Sequence, residues 1–489
     1  MQNCLVTCND ADDGGGLSLT TRLRAEVVNT TIGYNQAGRG GGIYAHSSCV
    51  EVHNSILWED ETSSEIYVDT NGDLTISYSV LQGGCEGIGH DTYYSIKCEP
   101  NVLMGNPKFL WPIGCDDEAC TGDEDFRIIA GSPAIDSGNN ILVHKDELDL
   151  NGDDDTEERT PLDLLLEPRF VDDPFTTDTG VNDPPEYPYV VDMGAYEYPG
   201  CPPISGAGFV YPPNKVIDAR QPHPPADCSI DARQGIGSQD EPIYIGPPVS
   251  VSTSLSCWGL CETGIEPIEE GCELLDPNEI VSISEVDNTG LYELILERPI
   301  SAGYVTELAY LGAGPLTMHA SLPADANADC TSAPADITAL INYLNEVEDP
   351  PHGDYSCDID HSGLCGPPDI NRLIDLLNGA WWYIVWNNRE LDEGLEPDIC
   401  QARGEGMLAD GNGAFINGFV THMSTVVITD AQSEADFKMI VDATAGFCVD
   451  NLSLDERATL ADRLQDPSLK FESPLAEEMV PEIVSALLD

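Results

Sequence analysis

Through the first third of the chain, short β-branched runs return about every 25 residues, split by Gly and Asn. Glu26-Val27-Val28-Asn29-Thr30-Thr31-Ile32 is echoed by Glu51-Val52-His53-Asn54-Ser55-Ile56-Leu57. A third run, Ile76-Ser77-Tyr78-Ser79-Val80-Leu81, follows one period later, and Gly14-Gly15-Gly16 recurs as Gly40-Gly41-Gly42. No single run of this kind can bury its own apolar side; stacking the copies makes the core. The pattern predicts a solenoid of short parallel strands. Asn29 and Asn54 fall before strands, where Asn tolerates a left-handed bend and can stack on its counterpart in the next rung. The opening residues already read as mid-repeat sequence, with no basic head or apolar core of a signal peptide. Further rungs and an export signal are therefore expected upstream.

Later segments change period. Residues 147 to 187 are rich in Asp and Pro and read as a long excursion. Within them Asp149-x-Asn151-x-Asp153-x-Asp155 is either a cation loop or a solvated acidic turn, since no helix or closing carboxylate follows at the right distance. Pro212-Pro213, Pro222 and Pro224-Pro225 mark a linker-like entry to the next region. Residues 279–286 and 291–296 alternate apolar and polar positions around Asp287-Asn288-Thr289-Gly290, which predicts a β-hairpin. Tyr304–Leu308 and Leu316–Ala320 add strands, so residues 201–321 are expected to form a β-sandwich spacer. Trp381-Trp382-Tyr383-Ile384-Val385-Trp386 reads as a buried strand or a sugar-binding platform. Ser453-Leu454-Asp455-Glu456 opens a helix carrying Leu460 and Leu464, and Ser473-Pro474 opens another. Residues 381–489 are otherwise unassigned and partly helical.

The sharpest chemistry lies in a duplication. Asp325-x-Asn327-x-Asp329, closed by Asp336, recurs as Asp358-x-Asp360-x-Ser362, closed by Asp369. Each loop runs into the same apolar spacing: Ile337, Leu340, Ile341, Leu344 and Asn345 return as Ile370, Leu373, Ile374, Leu377 and Asn378. Oxygen side chains at loop positions 1, 3, 5 and 12 suit a hard cation of high coordination number. Simple helix capping explains Asp336 and Asp369 but not the alternation upstream of them.

On those residues the segment 322–380 resembles type I dockerin domains, which carry two such calcium loops, each followed by a helix. The resemblance implies two Ca²⁺ sites, one on Asp325, Asn327, Asp329, Asp336 and the Thr331 carbonyl, the other on Asp358, Asp360, Ser362, Asp369 and the Leu364 carbonyl. Loop position 6, usually Gly, is Cys330 in the first copy and Gly363 in the second. Positions 10 and 11, hydroxylic in cellulosomal dockerins, are Pro334 and Ala335, then Pro367 and Pro368. Residues 1–198 resemble right-handed parallel β-helix proteins of bacterial surfaces. Gly131-Ser132-Pro133-Ala134-Ile135-Asp136-Ser137-Gly138 and Val191-Asp192-Met193-Gly194-Ala195-Tyr196-Glu197-Tyr198 look like the irregular C-terminal cap of such helices. The fold class expected is thus mainly β: a β-helix with its cap, a β-sandwich, a small α calcium module and an α-helical end.

Charge and cysteines narrow the setting. There are 87 acidic and 20 basic side chains, a net charge of −67, which disfavours nucleic acid because phosphate binding needs Lys and Arg. No apolar run reaches the ~20 residues of a membrane span. Seventeen cysteines, with close pairs such as Cys85/Cys98, Cys115/Cys120, Cys257/Cys261/Cys272 and Cys357/Cys365, suggest disulfides and an oxidising compartment. There is no GxSxG, HExxH or P-loop. Arg22, Arg24 and Arg39 sit at turn-like positions rather than in one column, and His53 reads as a packed or surface residue rather than a base. The chain therefore reads as a non-catalytic, extracellular or cell-surface calcium-binding protein, with a cohesin-like protein or a polysaccharide as partner. The alternative is a carbohydrate-active enzyme, a polysaccharide lyase or glycoside hydrolase, or its dockerin-bearing component.

Overall fold

Leu5 pairs with Thr31, Thr31 with Ile56, and Ile56 with Val80, all in parallel, so neighbouring strands are one sequence repeat apart. The computed structural model describes residues 1–204, 209–212, 215–220, 235–264, 278–286, 291–379, 389–390, 454–465 and 469–488, apart from 61–63, 115, 117, 184, 240, 247–250, 301, 346 and 472. The protein is mainly β, with a parallel β-solenoid of about four turns. Its compact units are Met1–Pro203 with Leu311–Gly314, and Ile204–Tyr310 with Pro315–Asp489.

In the first unit the rungs build three faces. One stacks Leu5–Thr7, Thr31–Gly33, Ile56–Trp58, Ser79–Leu81 and Val102–Leu103; another stacks Arg24–Val28, Cys49–His53, Gly72–Ser77 and Tyr94–Cys98. The third stacks Leu17–Thr20, Ile43–His46, Ile66–Val68 and Gly89–His90. Val27, Val52, Ile32, Leu57, Ile43 and Ile66 point into a common core and are fully buried. Burial of each such side chain contributes about 1.5–3 kcal/mol.

The corners are polar and linked by hydrogen-bonded ladders. Asn29 and Asn54 take φ of 45° and 47°, as the sequence predicts, and Tyr78 occupies the same bend in the next rung at 46°. After each bend comes a hydroxyl. Thr30 N–H donates to Ser55 Oγ at 3.3 Å and Ser55 N–H to Ser79 Oγ at 3.2 Å. Each hydroxyl donates back to the carbonyl two residues earlier. A second ladder runs Asn9 to Asn35 to Asp60, each amide donating onward at 2.9 Å.

The two motifs expected to close the solenoid pair with each other: Gly138 N–H donates to Val191 O at 2.8 Å and Met193 N–H to Ala134 O at 3.1 Å. They lie along the flank of several rungs. Asn54 exchanges bonds with Asn139, Gly194 N–H reaches Asn54 O at 2.8 Å, and Ala195 N–H reaches Thr31 Oγ1 at 3.1 Å. The side-chain amides of Asn29 and Asn54 thus bond this segment. Arg169, wholly buried, ties it to the first rung through Gly194 O, Ala195 O and Asn3 Oδ1.

The second unit carries two four-stranded sheets. One orders Phe209–Tyr211, Ile243–Gly246, Tyr292–Leu296 and Ile280–Glu285, all antiparallel. The predicted hairpin is there, with Glu285 beside Tyr292 and a register shift between Ile280 and Ser282; its turn lies outside the described residues. The other sheet orders Val216–Asp218, Gly314–Ser321, Tyr304–Tyr310 and Trp258–Gly264. Helices α1 (Pro334–Leu344), α2 (Asp354–Cys357) and α3 (Pro367–Leu377) follow. Helices α4 (Leu454–Leu464) and α5 (Pro474–Leu488) pack together, α4 burying Leu460 and Leu464. The aromatic run at Trp381–Trp386, the Pro-rich entry at Pro213 and Pro222–Pro225, and Ser453 lie outside the described residues.

Cys85–Cys98 and Cys357–Cys365 are disulfides, as their spacing suggests. The Cys115/Cys120 pairing is not formed: Cys120 bonds Cys8, which the solenoid brings alongside from 112 residues away. Cys201, Cys257, Cys261 and Cys330 are also bonded, while Cys4 and Cys49 are free. Such pairs are compatible with an extracellular protein. Among the described residues no helix is long and apolar enough to cross a membrane.

Candidate metal centre

Each tandem loop is wound about its first aspartate. Asp325 accepts from Asp329 N–H at 2.9 Å and Cys330 N–H at 2.8 Å. Asp358, one repeat later, accepts from Ser362 N–H at 2.9 Å and Gly363 N–H at 2.8 Å. The closing residue repeats just as closely. Asp336 accepts from Asn327 N–H at 2.9 Å and Ala333 N–H at 2.8 Å. Asp369 accepts from Asp360 N–H at 3.1 Å and Gly366 N–H at 2.7 Å. The second contact of each pair is a helix N-terminal cap. The first reaches back across the loop to position 3, which capping does not require.

Position 6 is left-handed in both copies, Cys330 at φ 61° and Gly363 at φ 80°. Holding a non-Gly residue there costs on the order of 1 kcal/mol, and the disulfide at Cys330 gives a reason for a side chain at that position. Position 4 is left-handed as well, at Ala328 and His361.

In the second loop Asp358, Asp360 and Asp369 bring one oxygen each within 4.8 Å of one another. The Ser362 hydroxyl lies 3.2 Å from both Asp358 Oδ1 and Leu364 O, either of which can accept its one proton. In the first loop the Asn327 amide bridges to Asp329 Oδ2 at 2.8 Å. Thr331 sits in a two-residue antiparallel pairing with Arg389–Glu390. Asp325, Asp336 and Asp369 are fully buried. Burial first, and Asp329 among the neighbouring charges, pushes the Asp336 carboxyl up to about 6; Asp369 is raised for the same leading reason. The second loop thus brings its three acids together, while Asp325, Asp329 and Asp336 do not converge to the same distance; the side chains offered in both loops are oxygen donors, the chemistry of hard divalent cations.

The helices are not a separate module in packing terms. Leu340, Leu373, Leu376 and Leu377 share one core with Ile217, Val305 and Ala320 of the second sheet. Ala219 N–H donates to Tyr355 O at 2.9 Å, and the Arg220 guanidinium stacks over the Tyr355 ring at 4.4 Å.

Two clusters elsewhere bear on chemistry. The loop at Asp149 repeats the same winding: Asp149 accepts from Asp153 and Asp154 N–H at 3.0 and 3.2 Å, with left-handed Gly152 and Asp154 at positions 4 and 6. Its twelfth residue, Thr160, turns away to His144 O. On an outer face of the solenoid, Glu26, Glu51 and His53 converge because their strands are in register. Each is engaged: Arg24 pairs with Glu51, His144 Nε2 lies 3.1 Å from Glu26, and His53 Nδ1 meets Ser77 Oγ at 2.8 Å. His53 is 8 % exposed, so of the packed and surface alternatives it is the packed one. Arg39 stacks over Tyr44 and Tyr67 and pairs with Asp13 and Asp69.

No family model, no curated protein and no solved structure matches this chain.

Proposed function

We propose that the chain is a non-catalytic, secreted or cell-surface protein. The chain joins a right-handed parallel β-helix, a β-sandwich and a dockerin-like module at residues 322–380. That module binds two Ca²⁺ ions and presents a docking face. The supporting observation is the bond-for-bond equivalence of the two loops: Asp325 and Asp358 organise positions 5 and 6, while Asp336 and Asp369 reach back to position 3. Repulsion among these crowded carboxylates is relieved by a cation, so calcium binding adds to folding free energy. Ile341 and Ile374, equivalent by the duplication, are the exposed apolar positions of α1 and α3. They give a cohesin-like protein two matching contacts; the solenoid faces give a polysaccharide or adhesion partner an extended surface.

Calorimetric titration of the whole chain with Ca²⁺ tests this. The double variant Asp325→Ala/Asp358→Ala should take up two fewer equivalents than the parent. Equal stoichiometry in the two proteins refutes the reading.

A further inference from the structure

We propose that Asp136, Asp172 and Asp178 form a second, separate site for a hard divalent cation of the calcium or magnesium class, which pins residues 172–180 to the closing segment of the solenoid. Asp136 is 0 % exposed, and neither of its carboxylate oxygens has a hydrogen-bond partner. Burying a carboxylate without a donor is strongly unfavourable unless something neutralises it. What lies around it is more carboxylate: Asp172 and Asp178 each bring an oxygen within 4.8 Å of the others and of Asp136.

Asp178, Asp172 and Asp173 add negative charge beside Asp136. The Asp173 amide faces it and eases ionisation without closing a bond of normal geometry. The other nearby acids are already used. Asp173 accepts from Phe175 N–H and the Thr176 hydroxyl, and Asp192 accepts from Asp136 N–H and Tyr198 N–H. Three carboxylates with only oxygen donors select a hard ion over a zinc-like one.

The backbone already converges at the same point. Asp136 O accepts from Thr179 N–H at 2.9 Å and Gly180 N–H at 3.1 Å, and Ser137 Oγ meets Thr179 Oγ1 at 2.7 Å. An ion held by the side chains would lock the excursion where these bonds already fasten it.

The competing occupant is a proton shared among the acids, and one experiment separates the two. Hydrogen exchange of amides 172–180 is followed in the whole chain with Ca²⁺, and separately Mg²⁺, from zero to about 10 mM, roughly ten times the Kd of weak extracellular sites. It is repeated in a background carrying Asp336→Asn and Asp369→Asn, so a response from the tandem loops, or its absence, is read independently. At roughly ten times Kd these amides should exchange about tenfold more slowly in both backgrounds, and Asp136→Asn should abolish the effect. Should Asp136→Asn fail to fold, Asp178→Asn, at an exposed residue, should weaken the response instead. Exchange unmoved by either ion overturns the proposal. So does protection that survives both variants, or cation-free slowing in Asp136→Asn, the result a buried proton predicts.

Discussion

Glu65 and Asp60 are buried together inside the solenoid, with Asp60 accepting both the Asn35 amide N–H groups. Burial first, and then the Asp60 carboxyl, pushes Glu65 up to about 10 from 4.5; burial raises Asp60 too. The native state therefore binds more protons than the unfolded chain between those limits, and stability must fall as pH rises. The contribution of Glu65 should be full below pH 4.5 and be lost as pH rises toward 10. Urea unfolding followed through the solenoid across that range should show the slope, and Glu65→Gln should flatten it; an unchanged slope removes the buried-proton account. In the second unit His319 works the other way. Burial holds its ring neutral, lowering it from 6.5 to about 4, against the Pro212 carbonyl at 2.8 Å. The unfolded chain takes up that proton first, so this contribution is full above pH 6.5 and is lost as pH falls toward 4. Backbone constraint matters at the same scale. Gly194 has φ of +106°, and a Cβ there would lie 2.8 Å from Ile56 Cδ1 and 3.0 Å from Thr31 Oγ1. Gly194→Ala should cost about 1–3 kcal/mol by overpacking, measured as a shift in the urea midpoint.

Elements were legible where one short period repeats. The rungs at Val27, Val52 and Ile76 and the duplicated helices at Leu340 and Leu373 announce themselves because identical neighbours demand identical spacing. Cys8–Cys120 was not legible, since it depends on how the chain returns along the solenoid after 112 residues. Asp136, Asp172 and Asp178 were hidden for the same reason: no periodicity links them, and only the folded excursion brings them together. The two tandem loops lie between these cases. Their alternating oxygen side chains were readable from spacing, but the reach of Asp336 and Asp369 back to the amides of Asn327 and Asp360 is a property of the closed loop. That double duty separates two contributions. Asp369→Ala removes the bonds from Gly366 N–H and Asp360 N–H and so should cost about 1–3 kcal/mol even in chelator. With Ca²⁺ present the cost should be larger, because cation binding is lost as well. Equal costs with and without Ca²⁺ reduce Asp369 to a helix cap.

At the scale of the whole molecule, charge and packing decide how a cation would be felt. With a net charge of −67, the chain repels itself at low ionic strength, and screening or specific ions relieve that. The packing decides where a specific ion acts. Leu340, Leu373 and Leu376 share their core with Ile217 and Ala320, and Ala219 and Leu322 are tied by backbone bonds to Tyr355 and Asp218. Loosening the loops should therefore loosen strands Val216–Asp218 and Gly314–Ser321, and not residues 322–380 alone. The rungs have their own core, built from Ile32, Ile43, Val52 and Leu57, and their ladders need no ion. Chelation at constant ionic strength should thus raise amide exchange through α1, α3 and those two strands together, while the rungs stay protected. Exchange confined to the loops would mean the shared core holds without cations; loss across the rungs would mean that chelation acts on the charge of the whole chain.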